Sequence, residues 1–327
     1  MTDKKRGLGL FSGGLDSMLA AAVLREQGIE VAGVVFITPF FGAERARESA
    51  AHLGLPLLER DITEAYYPLL MNPPHGFGKH HNPCLDCHIL MLREAAALME
   101  ARGDDFLYTG EVLGQRPMSQ NRGALNLVAR ESGCPELILR PLSAKLLAPT
   151  RPEIMGWVDR ERLLDISGRG RKRQMELAAH YGITNYPAPA GGCLLTDPGY
   201  AARLKELLAH DPQPGRRDLE LLKWGRHFRL PGGPKVVVGR THKENEAIKD
   251  LVSPADLVVR VQGFPGPLVL VPGVSNLEGL AEAAALAASY SDAPLGREVS
   301  VTGRQAGETQ VLQAAAAPKD RFKEWLI

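Results

Sequence analysis

The sequence has no uninterrupted apolar stretch of the roughly 18 residues that a membrane-spanning helix needs. Its first residues, Met1–Arg6, are polar and lead directly into an apolar run, so we expect no signal peptide, no membrane anchor and a cytoplasmic location. Neither sign of charge dominates, because 39 Lys and Arg face 38 Asp and Glu. Any nucleic-acid site must therefore be a local basic patch.

Cysteine is also scarce, with four in 327 residues. In a chain expected to be cytoplasmic, this argues against structural disulfides and indicates metal binding or redox chemistry. Cys84 and Cys87 form a Cys-x-x-Cys pair, and we expect Cys134 to be a free, partly buried thiol. A zinc site would need two further ligands, and no second Cys-x-x-Cys is present. Histidines near the pair are His75, His80, His81 and His88.

Two other interpretations of the cysteines stand beside zinc. Cys84, Cys87 and Cys193 could be three thiolate ligands of a [4Fe–4S] cluster whose fourth iron is open to sulfide. Alternatively, one of them carries a persulfide that another resolves as a disulfide. Cys193 follows two glycines, so we expect its thiol to lie on flexible, exposed backbone.

The length and the composition, with 44% hydrophobic and 24% charged residues, predict about two globular domains. Over residues 7 to about 165, strand-like apolar runs alternate with helical patterns, which predicts an α/β fold with a doubly wound parallel sheet in a domain of residues 1–197. After the Pro- and Gly-rich stretch Tyr186–Gly192, the pattern changes to that of a smaller α+β domain, residues 198–327. The predicted strands are Leu8–Phe11, Val31–Ile37, Leu57–Leu58, Phe106–Thr109 and Leu137–Leu139, then Lys235–Val238, Leu257–Val261 and Leu268–Val271; the predicted helices are Ser17–Gln27, Ala43–Leu53, Ile89–Arg102, Tyr200–His210 and Leu280–Ser289.

The most informative stretch is Ser12-Gly13-Gly14-Leu15-Asp16-Ser17, between the first predicted strand and helix. Two adjacent glycines allow a tight turn in which several N–H groups point at one anion, and the helix start adds to the attraction for phosphate. Ser12 and Ser17 supply hydroxyls, and Asp16 supplies a carboxylate for Mg²⁺. A Walker A loop is excluded because the required Lys is missing. The alternative interpretation is an ordinary glycine turn.

This stretch resembles the signature of the PP-loop ATP pyrophosphatases, which split ATP between the α and β phosphates while the loop grips the pyrophosphate. The resemblance implies a bound ATP with Mg²⁺ near Asp16. It covers roughly residues 7–197. The nucleotide-binding residues that it implies are Ser12, Gly13, Gly14, Leu15, Asp16, Ser17, Thr109 and Gly110.

Further segments are similar to those of the tRNA thiolation enzymes within this family. Asn82–Cys87 resembles 2-thiouridine synthases, except that Cys84 stands where many of them have an aspartate; this departure favours the three-cysteine cluster variant. Thr109–Gln115 and Arg140–Leu142 are similar to motifs of 4-thiouridine synthetases, and Cys193 lies where those enzymes keep a catalytic cysteine. The nucleotide that is thiolated stays open. The catalytic residues implied are Asp16, Cys84, Cys87 and Cys193.

Two basic segments are candidates for RNA contact. The first begins a predicted helix, where arginines oppose the helix dipole and an RNA phosphate would relieve that cost. The second interleaves basic residues with Trp224 and Phe228, which suits a surface that stacks a base; a core Trp and Phe with snorkelling arginines explains the same string. Residues 221–245 resemble the RNA-binding domain of NFACT proteins, which favours RNA. The candidate RNA-binding residues are Arg169, Arg171, Lys172, Arg173, Arg226, Arg229 and Arg240.

The resemblance therefore implies an ATP-dependent tRNA sulfurtransferase, which adenylates a uridine carbonyl oxygen and replaces it with sulfur. Arg140 and Lys145 are candidate contacts of the α-phosphate. The THUMP and rhodanese regions of the 4-thiouridine enzymes are missing, so we expect an external sulfur donor, sulfide or a cysteine desulfurase, and a homodimer is one option for assembly. The alternatives are a PP-loop amidating ligase, a small-molecule thiolase, cluster-free thiolation through a persulfide, and an RNA-binding protein with a relic loop.

Overall fold

The computed structural model of the chain describes residues 4–186, 188, 192–231, 233–274 and 278–327. Residues 187 and 189–191 of the Pro- and Gly-rich interruption lie outside this described part. The chain divides into two compact units, Met1–Asp197 and Pro198–Ile327, each with a hydrophobic core of its own. Within the described residues, no helix has both the length and the apolar character that crossing a membrane requires.

The first unit is built on a parallel sheet. Its strands are β1 (Arg6–Leu10), β2 (Glu30–Ile37), β3 (Leu57–Asp61), β4 (Phe106–Thr109) and β5 (Ile138–Leu139). In the described residues these five strands form one sheet in the order β3-β2-β1-β4-β5, with every neighbouring pair parallel. The chain proceeds outward from β1 to β3 and then returns to β4 on the other side. A crevice therefore lies at the carboxyl ends of β1 and β4, where ligands of such sheets bind.

Helices form two layers around this sheet. The helices are α1 (Leu15–Glu26), α2 (Glu44–Leu53), α3 (Thr63–Met71), α4 (Cys84–Arg102), α5 (Arg122–Ser132), α6 (Arg151–Ile154) and α7 (Lys172–His180). α1 packs against α2 and α7, whereas α4 packs against α3 and α5, and both α1 and α4 contact β1 and β4. The predicted doubly wound parallel sheet is confirmed.

Glycine in the central strand β1 makes room for an aromatic ring. Gly9 is paired with Tyr108 of β4, and a Cβ built on Gly9 would stand 2.1 Å from the Tyr108 ring. The buried Tyr108 hydroxyl donates a hydrogen bond of 3.1 Å to the Ala32 carbonyl oxygen. The ring thus crosses β1 and ties β4 to β2, which fixes the strands that border the crevice.

The prediction for α4 was wrong at its start. The sequence pattern predicts a helix from Ile89, with the Cys-x-x-Cys pair on the preceding loop, but the helix begins at Cys84. The Cys87 N–H already donates to the Pro83 carbonyl oxygen over 2.8 Å, and Asp86 places a carboxylate in the first turn, where it interacts favourably with the helix dipole. Cys84 and Cys87 therefore occupy helical backbone rather than a loop.

The second unit is an α+β domain with an antiparallel sheet. Its strands are β6 (Arg226–Arg229), β7 (Lys235–Val238), β8 (Leu257–Val261), β9 (Val269–Val271), β10 (Glu298–Gln305) and β11 (Glu308–Ala315), and its helices are α8 (Pro198–His210), α9 (Arg216–Leu221), α10 (His242–Asp250) and α11 (Leu280–Ser289). In the described residues the strand order is β11-β10-β8-β9-β7-β6, with antiparallel neighbours. The alanine-rich helix α11 packs against the sheet, because its small side chains allow a close approach.

Candidate nucleotide and cysteine site

The loop between β1 and α1 contains a turn that only glycine fits. Gly13 has a φ of +72°, and a Cβ built on it would stand 2.5 Å from the carbonyl oxygen of Arg45. The Ser49 hydroxyl donates a hydrogen bond of 2.9 Å to the Gly13 carbonyl oxygen. The loop is therefore held against the first turns of α2, with no space for a side chain.

The start of α1 offers backbone donors to an anion. Gly14 is the N-cap residue, and no side chain of the described residues caps this helix. The Gly14 N–H donates to Ser12 Oγ over 3.3 Å, and the Ser17 hydroxyl donates to the Gly14 carbonyl oxygen over 2.8 Å. Leu15 is buried, so only its backbone faces a ligand. The unpaired N–H groups of the first turn and the helix dipole favour a phosphate here.

Only one of the two carboxylate oxygens of Asp16 accepts a hydrogen bond among the described residues. Its Oδ2 accepts a hydrogen bond of 2.9 Å from the Gln115 side-chain amide. Asp16 Oδ1 and Gln115 Oε1 are both buried without a hydrogen-bond partner in the part of the chain that the structure describes. Buried oxygens are rarely left unpaired, and oxygen atoms of carboxylates and amides are the ligands that Mg²⁺ prefers. These residues fit a magnesium ion beside the loop.

The chain after β4 forms the other wall of the crevice. A Cβ built on Gly110 would stand 2.5 Å from the backbone carbon of Asp16 and from the backbone nitrogen of Ser17. Thr109 is buried, and its hydroxyl donates to Glu111 Oε2 over 3.1 Å. The two segments for which nucleotide binding was predicted are thus in direct backbone contact.

Glu111 is the buried charge of this region, and the sequence analysis did not select it. Its carboxylate accepts a hydrogen bond of 2.9 Å from Arg140 Nε and lies 3.1 Å from His88 Nδ1. Burial alone would raise the pKa of Glu111, but the charge of Arg140 and the hydrogen bonds from His88 and Arg140 outweigh it and bring the pKa to about 2. The carboxylate is ionised at neutral pH and connects β4, β5 and α4.

The two cations predicted at the α-phosphate are engaged with carboxylates instead. Arg140 is buried and paired with Glu111. Lys145 Nζ donates to the Glu161 carbonyl oxygen over 2.7 Å and lies 3.2 Å from the Glu161 carboxylate. In this arrangement Arg140 has no free charge to offer a phosphate, whereas Lys145 shares its charge with an exposed carboxylate.

Three of the cysteines come together around a tyrosine. Cys84 and Cys87 of α4 interact electrostatically with Cys193, and the Cys87 thiol is hydrogen-bonded to the buried Tyr66. Burial and the neighbouring Cys193 raise the pKa of Cys87 well above its usual value. Burial raises the pKa of Cys193 to about 11. Burial therefore disfavours the thiolate form of Cys87 and Cys193, and the charge of Arg116 offsets this only in part at Cys193.

Cys193 is half-buried and follows the exposed Gly192, so it is less accessible than a thiol on fully exposed backbone. It precedes a short 3₁₀ helix, Leu194–Thr196, whose Leu194 N–H donates to the Phe40 carbonyl oxygen over 3.0 Å. The Phe40 ring lies 5.5 Å from that of Tyr66. The β2–α2 connection thus anchors the segment that carries Cys193. Cys134 is a free, half-buried thiol.

The cysteines do not form a site for a single metal ion. Within the described residues, no group of three or more His, Cys, Asp or Glu side chains is arranged to hold one metal ion. In a [4Fe–4S] cluster each thiolate binds a different iron, so the sulfurs need not converge on one point. Cys84, Cys87 and Cys193 are the candidate ligands of such a cluster.

Histidines near the pair serve other partners. His75 Nδ1 lies 2.8 Å from the buried carboxylate of Asp86, and His75 Nε2 lies 3.4 Å from Glu131. Hydrogen bonding to Asp86 raises the pKa of His75. The amide of Asn82 donates to Cys84 Sγ over 3.0 Å. These bonds hold the segment before α4 in place and orient the first thiol.

The basic segment of the first unit is exposed at the start of α7. Arg169, Lys172 and Arg173 are exposed, and Arg171 is the N-cap residue. Arg173 is 2.6 Å from Asp165, so part of its charge is compensated. Arg169 and Lys172 have no ion pair among the described residues and stay available to an anion.

The basic string of the second unit divides into buried and exposed positions. Phe228 is buried in the core, so of the two interpretations of this string the core Phe holds, and Phe228 is not placed to stack a base. Arg229 pairs with Glu206 at 2.5 Å, and Arg240 pairs with Glu244 at 2.5 Å. Arg226 lies over the ring of Tyr290 at 5.1 Å.

Replacing Glu111 tests the buried charge. Glu111→Gln leaves Arg140 buried without a counter-charge, which should cost about 3–5 kcal/mol of unfolding free energy, measured by urea denaturation. The matched control is Glu161→Gln, whose carboxylate is 87% exposed beside Lys145; it should cost less than about 1 kcal/mol.

The same variant has a pH signature. The pKa of Glu111 is lowered from 4.5 to about 2, so its stabilisation is complete above pH 4.5 and declines as the pH falls towards 2. The wild type should lose this contribution on acidification, whereas Glu111→Gln has none to lose. Parallel stability–pH curves for the two proteins would contradict the assignment.

Comparison with known proteins supports both resemblances. Residues 2–148 match the family model described as thiamine biosynthesis protein (ThiI), and residues 225–326 match the NFACT protein RNA binding domain. A tRNA-specific 2-thiouridylase MnmA from Pelobacter propionicus is 35% identical over 112 residues, which cover 30% of this chain and 31% of that protein. The enzyme of that name from Symbiobacterium thermophilum is 27% identical over 238 residues, 64% of this chain and 58% of that protein.

The chain thus spans less than two thirds of the length of these relatives. A crystal structure of a 4-thiouridine synthetase–RNA complex with bound ATP aligns with a TM-score of 0.37 and 20% identity, over 67% of this chain and 52% of that one. The resemblance to the PP-loop tRNA thiolation group is confirmed by the family matches: the chain combines a ThiI-type segment in its first unit with an NFACT-type RNA-binding segment in its second.

Proposed function

We propose that this chain is an ATP-dependent tRNA sulfurtransferase, which adenylates a uridine carbonyl oxygen and replaces that oxygen with sulfur. The observation that carries the proposal is that residues 109–116 join the loop to the cysteines. Gly110 abuts the backbone of Asp16 and Ser17, and Gln115 binds Asp16. Glu111 binds His88, the residue after Cys87, and the charge of Arg116 acts on the Cys193 thiol.

In the first step, the loop and the α1 N-terminus would hold the β and γ phosphates, with Mg²⁺ at Asp16. The uridine carbonyl oxygen attacks the α-phosphorus, the bond to the β-phosphate breaks, and pyrophosphate leaves. The loop residues contribute by orientation and by stabilising negative charge, which dominates phosphoryl and nucleotidyl transfer. In the second step a sulfur nucleophile attacks the activated carbon, and AMP leaves with the original oxygen.

The cysteines would hold the group that delivers sulfur from an external donor. Cys84, Cys87 and Cys193 would hold a [4Fe–4S] cluster that, when bound, carries sulfide on the iron without a protein ligand. The protein's part is to gather the three thiols around Tyr66 and to orient Cys84 through Asn82. A persulfide route through the same cysteines is the alternative. Cluster binding and persulfide chemistry both need thiolates, so the raised pKa of Cys193, about 11, bears on both routes alike.

The partners follow from the second unit and from the chemistry. Its match to an RNA-binding domain supports tRNA as the substrate. We propose that sulfide or a cysteine desulfurase delivers the sulfur from outside, and that a homodimer is the assembly to look for. We further propose that the two compact units act as the thiolation and RNA-binding domains.

Changing Asp16 tests the overall reaction. Asp16→Ala should lower pyrophosphate release and tRNA thiolation by at least about 10²-fold, because it removes the magnesium ligand. The assay contains the full chain, ATP, Mg²⁺, sulfide and tRNA, and mass spectrometry of the digested nucleosides identifies 4-thiouridine or 2-thiouridine. The control Glu48→Ala, an exposed carboxylate on α2, should retain the activity. Wild-type protein that incorporates ammonia, or that thiolates only a small molecule, would overturn the proposal.

Changing Gly110 tests the close approach at the crevice. Gly110→Ala places a Cβ 2.5 Å from the Asp16 backbone and should weaken ATP binding by about tenfold, the effect of about 1.4 kcal/mol of overpacking. Gly170→Ala is the matched control, because no atom lies within 4 Å of its added Cβ. Calorimetric titration with a non-hydrolysable ATP analogue measures both. Equal affinities in the two variants would contradict the contact.

Reconstitution tests the cysteines. Wild-type protein treated anaerobically with iron and sulfide should gain a broad visible absorbance, and Cys87→Ser should lose it. Cys134→Ser is the control and should keep it, because Cys134 stands apart from the other three thiols. A colourless protein with stoichiometric zinc would overturn the cluster, and thiolation by that protein would indicate the persulfide route.

A further inference from the structure

The cations of the second unit differ in their partners. Some are paired with carboxylates, as Arg229 is with Glu206 and Arg240 with Glu244. Others lie over aromatic rings, and three of these form one set: Arg226 and Lys319 over Tyr290, at 5.1 and 5.2 Å, and Arg297 over Phe264, at 5.1 Å. None of the three has an ion pair among the described residues.

The members of this set lie around one feature, the C-terminal end of α11. Tyr290 is the residue that ends this helix. The Ala317 N–H donates to Ser289 Oγ over 2.9 Å, which brings the chain leading to Lys319 to the same place. The Asp292 N–H donates to the Pro265 carbonyl oxygen over 2.9 Å, which brings Phe264 there as well.

Arg297 is tied into the same region by backbone bonds. The Ala316 N–H donates to the Arg297 carbonyl oxygen over 3.2 Å, and the Gly296 N–H donates to the Ala316 carbonyl oxygen over 2.8 Å. Arg297 and Lys319 are exposed, whereas Arg226, Tyr290 and Phe264 are half-buried. We call these five residues, Arg226, Phe264, Tyr290, Arg297 and Lys319, the α11-end surface.

The chemistry of this surface differs from that of an ion-paired one. A guanidinium held by a carboxylate has its N–H donors occupied and its charge compensated. A guanidinium or ammonium over an aromatic ring keeps its N–H donors and its charge available. The negative end of the α11 helix dipole also attracts cations, without the help of a carboxylate. The surface therefore presents donors for phosphates beside aromatic rings on which a base can stack.

We propose that the α11-end surface is where the second unit contacts RNA, with Arg226, Arg297 and Lys319 on backbone phosphates and Tyr290 against an unpaired base. The identity of this RNA as a tRNA is taken from the proposed function, on which the inference rests. This surface keeps Arg226 from the residues expected from the sequence and adds Arg297 and Lys319, whereas Arg229 and Arg240 are paired with Glu206 and Glu244.

The size of the electrostatic effect follows from the charges present. Asp292, Glu298 and Asp320 lie close in sequence to the cationic residues, so the surface is not uniformly positive. A plot of the logarithm of the RNA-binding constant against the logarithm of the salt concentration should have a negative slope. Each phosphate contact with a single strand contributes about −0.7, so the three contacts of this surface contribute about −2. A pair of substitutions should therefore reduce the slope by about 1.4.

The test compares two double variants of the full chain that remove the same charge. Arg226→Gln/Lys319→Gln should raise the Kd for a tRNA transcript at least about tenfold and reduce the salt slope, measured by fluorescence anisotropy. Arg240→Gln/Lys249→Gln removes two ion-paired cations and should change the Kd less than about twofold. Equal losses in both variants, or none in the first, would overturn the proposal.

Two further measurements keep the outcome unambiguous. Tyr290→Leu should weaken tRNA binding while leaving the salt slope unchanged, because a stacking contact releases no counterions. Polyglutamate should not compete with tRNA; effective competition would indicate an acidic protein partner and overturn the proposal. ATP binding is measured on every variant, so that an inactive first unit, which would count against the proposed function, is distinguished from a lost RNA surface.

Discussion

The buried pairing of Glu111 with Arg140 is the constraint on which the first unit depends. It places an ionised carboxylate in the interior, where it is tolerated only because Arg140 and His88 both meet it. Arg140 follows β5, Glu111 follows β4 and His88 lies on α4, so one charge fixes three elements at the carboxyl edge of the sheet. The crevice, the loop and the cysteine helix take their positions from that arrangement.

Local patterns predict much of this fold. The alternation of apolar runs places β1, β2 and β4 within a residue or two of their observed bounds, and the glycine loop is found where its string indicates. The start of α4 was missed because apolar periodicity begins only at Ile89, whereas the first turn is stabilised by Asp86 and its partner His75. A contact of this kind between side chains does not affect the spacing of apolar residues, so the sequence pattern does not predict it.

Side chains that act in pairs were harder to predict. Glu111 and Arg140 were visible as members of two motifs, but their pairing across 29 positions is a property of the sheet order. The same limit applies to the basic string of β6, where Arg226 and Arg229 look equivalent in sequence. One lies over Tyr290 and the other binds Glu206, a difference set by what surrounds each face of the strand.

The contact of Gly110 with the start of α1 has a consequence for how such a protein can change. Two stretches almost a hundred positions apart share one small volume, in which backbone meets backbone with no side chain between them. A side chain at Gly110 requires the start of α1 to shift away from the end of β4. The two stretches therefore limit each other's sequence, although they are far apart along the chain.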